Sequence, residues 1–463
     1  MKNRLKRRFE RQLAGLRTSD TAKAAGLAGA MITNNVIALG STIVFARLLK
    51  DNQGGGYGSL AALVSYFLIL SVAGQALQVA TAREGVLGHL GVGPGLIATL
   101  RRWTRSMIAF TVVLTVVSIL LRNPIADLVG VKHDPWAAAV GIPAGCLWIE
   151  LSILRGALQG VGDYRSVGFS LVGEQGSRLV VGALLAAALA GSGQGVLGAY
   201  LGTPASFIAM CTYCAVHLRR HARASDPLAA GQPAPKAALD LWTHIREAWA
   251  PIAGLVIIAV LQNIDIIAAK HRFNTHTATS YAAVAVAAKV VIWVAMGASF
   301  YLVPEVSRRR AHGEDTREVL LRTLGIIGVC AVPVLLIFAV GGHELISAVY
   351  GASKASATDA LLPLGAAFTV LAATYLAIQY MLALKRTWFL LPLAVVAIAE
   401  PVLLLQASRE PAGFATVVLA IQAVGAVLAF SMALRPEKPG AIGDSDAPPP
   451  DVVEAELVGA SRP

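Results

Sequence analysis

Polar residues in this chain gather in short clusters, and between them run apolar stretches of membrane-spanning length. The runs predict twelve membrane helices, at 22–46, 58–82, 106–121, 137–158, 167–190, 196–217, 250–269, 281–303, 323–342, 361–384, 389–408 and 412–434. At about 1.5 Å per residue, most of these cover a hydrocarbon core of about 30 Å, and the third is the shortest. The fold class read from this pattern is an all-α polytopic membrane protein. A soluble multidomain enzyme is excluded.

The polar clusters orient the helices. The N-terminus, 83–105, 159–166, 218–249, 304–322, 385–388 and the tail from 435 hold 27 of the 39 Lys and Arg residues; the alternate loops hold 8. Loops rich in Lys and Arg stay in the cytoplasm, so both termini are expected there, in a multi-pass protein of the cell (cytoplasmic) membrane. In residues 1–21, Leu5, Phe9, Leu13 and Leu16 recur at helical spacing beneath basic residues, the pattern of a helix lying on the cytoplasmic surface. The longest hydrophilic stretch, 218–249, contains "ASDPLAAGQPAPKA" and reads as a linker between a first lobe, 22–217, and a second, 250–434. The tail, 435–463, is Pro-rich and acidic and is expected to be disordered.

Composition narrows the chemistry. Charged residues make up 14% of the 463 and hydrophobic ones 56%, where a soluble protein carries about a quarter charged. The net charge of +12 follows the loops that set topology, so no nucleic-acid partner is expected. Cys146, Cys211, Cys214 and Cys330 all lie in apolar runs. Cys211 and Cys214 have CxxC spacing, yet no second Cys/His pair lies nearby to complete a zinc site. There is no GxxxxGK[ST] motif, so ATP is not the direct drive, and no cofactor is expected. The basic start lacks the short apolar core and cleavage site of a signal peptide.

A repeat relates the two halves. "ARLLKDNQGGGYGSLAALVSYFLILSVAGQALQVATARE", from Ala46, parallels "AKHRFNTHTATSYAAVAVAAKVVIWVAMGASFYLVPEVSRR", from Ala269. Each leaves a span through Ala and a basic residue, crosses a polar outer loop, meets a Tyr, re-enters a span and exits at Arg83 or Arg308. Six spans per half give the halves one orientation, related by a pseudo-two-fold axis along the membrane normal.

These blocks, with "LQGVGDYRSVGFSLVGE" between the fourth and fifth spans, resemble the oligosaccharide flippases. Those form the polysaccharide-biosynthesis branch of the multidrug/oligosaccharidyl-lipid/polysaccharide exporter superfamily. The resemblance runs through roughly the first 320 residues and is looser beyond. It implies two helical lobes that carry a lipid-linked saccharide from the inner to the outer leaflet, with glycosyltransferases or a polymerase of the same pathway as further partners. The family has no universal catalytic signature.

The chemistry lies in what the spans should not contain. Glu150, Arg155, Glu174, Arg178, Asp265, Lys289 and Glu400 each cost about 2.5–3.5 kcal/mol at a helix centre, so they should face a bundle interior or a wet cavity. Glu174 and Arg178, four apart, share a helical face; Glu150 comes to a similar depth, with Arg155 nearer the cytoplasmic mouth, where it either joins the stripe or snorkels to the headgroups. These four either line a substrate cavity or form static bridges. In "AVLQNIDIIAAKHRF", Asp265 can be neutralised by Lys289 or Arg272 and serves either as a coupling group or as half of a static pair. Glu400, before Pro401, has no evident partner in sequence and is either a proton carrier or a neutral acid at a proline kink. Adjacent amides recur: Asn34 and Asn35, Gln75 and Gln78, Gln262 and Asn263. Amides suit sugar hydroxyls, and they also join helices in lipid.

A sugar-phosphate headgroup cannot cross the hydrocarbon unaided, so the expectation is a transporter working by alternating access. Arg178, Arg155 and Lys289 would attract phosphate, the amides would contact sugar, and Asp265 or Glu400 would carry the coupling ion. A drug or organic-cation antiporter of the same superfamily is the nearest alternative. A membrane-embedded saccharide polymerase would need a larger catalytic loop, and a passive scaffold would not need buried charges.

Overall fold

A computed structural model of the chain describes residues 20–49, 56–224, 243, 245–246, 249–311 and 313–435. Most of the expected surface helix (1–19), most of the linker (225–242) and the tail from 436 lie outside the described residues. Within them the chain is helical, with no strand. In order run α1 (Asp20–Leu48), α2 (Gly56–Val86), α3 (Pro94–Leu120), α4 (Arg122–Val129), α5 (Pro135–Gly160), α6 (Tyr164–Leu189) and α7 (Gly195–Ala224). Then follow α8 (Trp249–Arg272), α9 (Thr275–Ala288), α10 (Val290–Ala311), α11 (Arg317–Tyr350), α12 (Leu361–Ala383), α13 (Leu390–Gln406) and α14 (Pro411–Ala433).

Among the described residues, eleven helical segments are long and apolar enough to cross a membrane, and α13 adds a shorter apolar helix of 17 residues. Backbone groups find no water in hydrocarbon, so a lipid-spanning chain satisfies them within each helix. Large apolar side chains stand outward at helical spacing: Ile108, Val112 and Val116 on α3; Val329, Val332, Leu336 and Val340 on α11. Those faces suit a lipid surround.

Three elements differ from the expected spans. The third helix begins at Pro94, not near 106, so Arg101, Arg102 and Arg105 ride on its first turns and it is not short. Pro at the first turn costs the helix nothing, and the basic residues end the apolar run without ending the helix. The ninth span is likewise longer, Arg317–Tyr350, and departs from helical geometry at Gly341. The eighth is broken in its middle, where a turn at Lys289 divides α9 from α10.

The chain folds into two compact units. The first takes residues up to Val284 together with His343–Thr358; the second takes Ala285–Gly342 and the chain from Asp359. In the first unit α2 packs on α5, α6 on α7, and α8 on α2. Small residues set these distances. A Cβ on Gly156 would stand 2.4 Å from the Gln78 carbonyl oxygen, and one on Gly202 would stand 2.7 Å from that of Arg178, so both helix pairs approach backbone to backbone. In the second unit α12 packs against α10 and α14, and a short turn at Ala407–Glu410 joins α13 to α14.

Candidate functional site: a buried guanidinium cluster

The α5–α6 hairpin builds the site. α6 starts where Asp163 accepts from the Ser166 N–H at 3.1 Å, after a turn at Gly162 with φ +81°. Two antiparallel helices leaving one turn bring Arg155, near the end of α5, beside Ser170 and Glu174 of α6. The Arg155 Nε donates to Ser170 Oγ at 2.5 Å. Its Nη2 donates to the Ser170 carbonyl at 2.8 Å and to Glu174 Oε2 at 3.0 Å. Arg178, one turn further along α6, donates to Glu174 Oε1 at 2.6 Å. Both oxygens of one buried carboxylate are thus taken by two guanidiniums.

Three rings floor the cluster. Arg178 lies over Phe67 and Phe207, 5.7 and 5.3 Å from their centroids, and Arg155 lies 5.5 Å from the Trp148 centroid. The rings pack on one another, Phe67 on Phe207 at 5.5 Å and Trp148 on Phe207 at 5.4 Å. The negative faces of aromatic rings favour a cation, more so away from water. Arg155 has no exposed surface, whereas the Arg178 side chain keeps 16%. The expected alternative of Arg155 snorkelling to the headgroups is therefore wrong: α6 supplies it with three polar contacts where it sits.

Charge and donors do not balance. Within the Arg155–Glu174–Arg178 triad, two guanidiniums share one carboxylate, one positive charge more than negative. Arg155 Nη1 and Arg178 Nε are buried and have no hydrogen-bond partner among the described residues. Glu150 is brought alongside but joins no salt bridge among the described residues; its Oε1 accepts from Thr104 on α3 at 2.5 Å and its Oε2 is unpartnered. Arg178 lies about 21 Å along α6 from Tyr164 and about 16 Å from Leu189, midway through the span.

The remaining sequence-chosen residues are spread more widely. Asn34 and Asn35 are half-buried on α1, 3.4 Å from each other. Gln75 is exposed and Gln78 half-buried on α2. Gln262 and Asn263 are buried in α8, and the Asn263 amide donates to the Ala259 carbonyl of its own helix at 2.9 Å. Asp265 is fully buried and accepts from the Tyr281 hydroxyl of α9 at 3.4 Å. Lys289, at the break between α9 and α10, lies 5.1 Å from the Phe368 centroid. Glu400 does have a partner: Gln422 on α14 donates to its Oε1 at 3.1 Å. That acid reads as isolated in sequence because the α13–α14 pairing that brings Gln422 opposite is a tertiary fact.

Sequence reasoning missed the three-ring floor, since Phe67, Trp148 and Phe207 look like ordinary apolar span residues until the helix rotations are known. It also missed a polar chain in the second unit. Gln379 donates to the Tyr375 hydroxyl at 2.9 Å, and that oxygen lies 3.3 Å from Ser299 Oγ, itself bonded to the Met296 carbonyl. Two other features carry no recognition chemistry. Ser166 stands between Asp163 and His217 (2.6 and 3.0 Å), an order that caps a helix and does not activate a nucleophile, for which the imidazole must stand in the middle. A cleft of about 780 Å³ between α13 and α14, lined by Val395, Leu403, Val417 and Val424 among others, is apolar and suits hydrocarbon, not a headgroup.

No protein-family model matches the sequence, and no curated protein does. Solved structures match over nearly the full chain. An inward-facing multidrug resistance MATE family transporter of the MOP superfamily aligns over 93% of this chain and 96% of its own, with a TM-score of 0.65 at 14% identity. Lipid II flippase MurJ, in an inward closed conformation, aligns over 89% and 88%, with a TM-score of 0.65 at 12% identity. A MOP superfamily transporter from Pyrococcus furiosus, described by a reverse polarity of its binding pocket, aligns over 90% and 96%, with a TM-score of 0.57 at 13% identity. At such identities the likeness establishes fold alone. The chain has the all-α, multi-pass membrane fold of these proteins, and the expected architecture of about twelve helices in two lobes fits it.

Proposed function

We propose that the chain is a flippase that moves a lipid-linked oligosaccharide or polysaccharide precursor from the inner to the outer leaflet of the cell membrane. The observation that carries this reading is the excess buried cation: Arg178 is oriented by Glu174, floored by Phe67 and Phe207, and keeps an unused Nε donor midway through the span. A phosphate or pyrophosphate oxygen supplies both the missing negative charge and the missing acceptor. Arg155, fully buried, holds Glu174 in place; its role is positioning. Lys289, at the helix break, is a further candidate cation, and Asn34, Asn35, Gln75, Gln78, Gln262 and Asn263 are the candidate amides for sugar hydroxyls. The lipid tail stays in the hydrocarbon. The lobes 22–217 and 250–434 would alternate access, so the headgroup never meets an open pore.

Binding to the purified protein tests the reading. A polyprenyl pyrophosphate-linked saccharide should compete with the same lipid carrying phosphate alone, and a neutral glycolipid of matched tail should not compete. Equal competition by the neutral glycolipid would remove the anion from the account. The second reading, an organic-cation antiporter, is favoured by Glu150, a buried acid beside the triad that forms no salt bridge among the described residues; preferential binding of organic cations would select it.

Coupling is assigned to Asp265 and Glu400, the buried acids of α8 and α13. The double variant Asp265→Asn, Glu400→Gln preserves size and hydrogen bonding to Tyr281 and Gln422. It should retain substrate binding but lose the dependence of transport on a pH gradient or membrane potential. Transport in that variant with its full gradient dependence intact would exclude both residues.

A further inference from the structure

On the face of the first unit opposite the α5–α6 turn, α8 and residues 343–358 are held against the early helices. The last turn of α8 docks on the loop between α4 and α5. Gly130 ends α4 with φ +77°, and a Cβ there would stand 2.8 Å from the Lys270 Cβ, so loop and helix touch without a side chain between them. The His271 Nε2 donates to the Leu128 carbonyl at 2.9 Å, and the Lys270 ammonium lies 3.4 Å from Ser59 Oγ on α2. Beside this contact, Arg47 donates to the carbonyls of Ala348 and Val349 at 2.9 and 3.3 Å, Tyr57 packs on Tyr350, and Ser356 donates to Ser280 at 2.8 Å. Within this set of contacts lies Asp134, only 7% exposed, its carboxyl hydrogen-bonded to Ser59 and facing Lys270 and His133, with Oδ2 unpartnered.

We propose that Asp134 is a proton-binding site on the outer face, and that its proton fastens α8 to the α4–α5 loop while loss of that proton loosens the contact. That face is the outer one in the orientation set by the Lys- and Arg-rich loops, and the proton site does not depend on the substrate. A neutral carboxyl tolerates this enclosed position, and a carboxylate loses water there that a single ammonium, already turned to Ser59, does not fully replace. Release of α8 would rehydrate the carboxylate. The other ionisable groups around it do not take over the role. Asp127 and Lys132 pair with each other at the surface at 3.8 Å, and Arg272 follows on the same turn of α8.

Burial raises the Asp134 carboxyl from 3.8 to about 6, with Lys270, Ser59 and His133 each pulling it down. A carboxyl that holds its proton more tightly when docked than when hydrated stabilises the docked form in full below its hydrated pKa. That contribution is lost as pH rises through the docked value of about 6. From about pH 5 to about pH 7.5 the opening equilibrium should therefore rise about tenfold.

Amide hydrogen exchange on the full chain in lipid nanodiscs, corrected for the intrinsic pH dependence of exchange, reads this opening at residues 128–134 and 268–272. The wild-type protein should show the tenfold loss of protection. Asp134→Asn, permanently neutral, should stay protected and flat; Lys270→Met, which removes the compensating charge, should move the midpoint upward; and His271→Gln should keep the wild-type slope. A wild-type profile that is flat across this range, an Asp134→Asn profile that keeps the rise, or a slope lost in His271→Gln would each overturn the proposal.

Discussion

Replacing Glu174 by alanine should lower the stability of the protein by about 3–5 kcal/mol, the cost of stripping a buried ion pair of one partner. The effect belongs at the upper end of that range. Glu174 compensates two guanidiniums, and Arg155 has no exposed surface through which to find water. Its remaining contacts, to Ser170 Oγ and the Ser170 carbonyl, are neutral acceptors. Glu174→Gln should fall between alanine and wild type, because one amide oxygen can still accept while the charge is gone. Thermal unfolding of the three proteins in one detergent checks the order, and a Glu174→Ala protein as stable as wild type would mean that the cluster is hydrated.

Arg178→Gln should do the reverse, leaving stability nearly unchanged and recognition crippled. With Arg178 gone, Glu174 still pairs with Arg155 at 3.0 Å, so each keeps its counter-charge. What is lost is the excess cation. A charge-assisted hydrogen bond is worth about 1.5–3 kcal/mol, which corresponds to a fall of about 10- to 150-fold in affinity for an anionic headgroup. Arg178→Lys should recover only part of that loss, since a compact ammonium neither spreads between Phe67 and Phe207 as a planar guanidinium does nor offers two fixed donors. Titration of each variant with the pyrophosphate-linked saccharide, set against its melting temperature, separates a lost binding group from a lost fold. An Arg178→Gln protein that melts early yet binds normally would reverse the assignment of the two residues.

The sequence shows parts of this site and hides others for definite reasons. Spacing of four along one helix is a local fact, so the Glu174–Arg178 pair is legible from the chain alone. The third member is not. Arg155 joins Glu174 only because α5 and α6 leave a three-residue turn antiparallel, and that turn fixes which residues stand at equal height. The ring floor draws on α2, α5 and α7, and apolar residues in an apolar span carry no mark of which face they occupy. Helix ends failed where the apolar run and the helix do not end together. Arg101 and Arg102 stop the first without stopping the second, which is why α3 begins twelve residues before its expected start. The break at Lys289 is the converse case, a helix that stops inside an apolar run. The repeat, by contrast, marked positions that the fold uses: Tyr57 and Tyr281, matched in the two blocks, are both buried, one against Tyr350 and one against Phe273.

Headgroup translocation in proteoliposomes is the most direct test that this fold uses Arg178 to carry an anionic lipid headgroup through the membrane. A fluorescent lipid-linked saccharide would be placed in both leaflets, and a membrane-impermeant quencher would then follow how fast the protected pool becomes accessible. Wild-type protein should speed that exposure well beyond protein-free vesicles, and Arg178→Gln should bring it back towards the protein-free rate. Wild-type vesicles no faster than empty ones, or an Arg178→Gln protein as fast as wild type, would contradict the account.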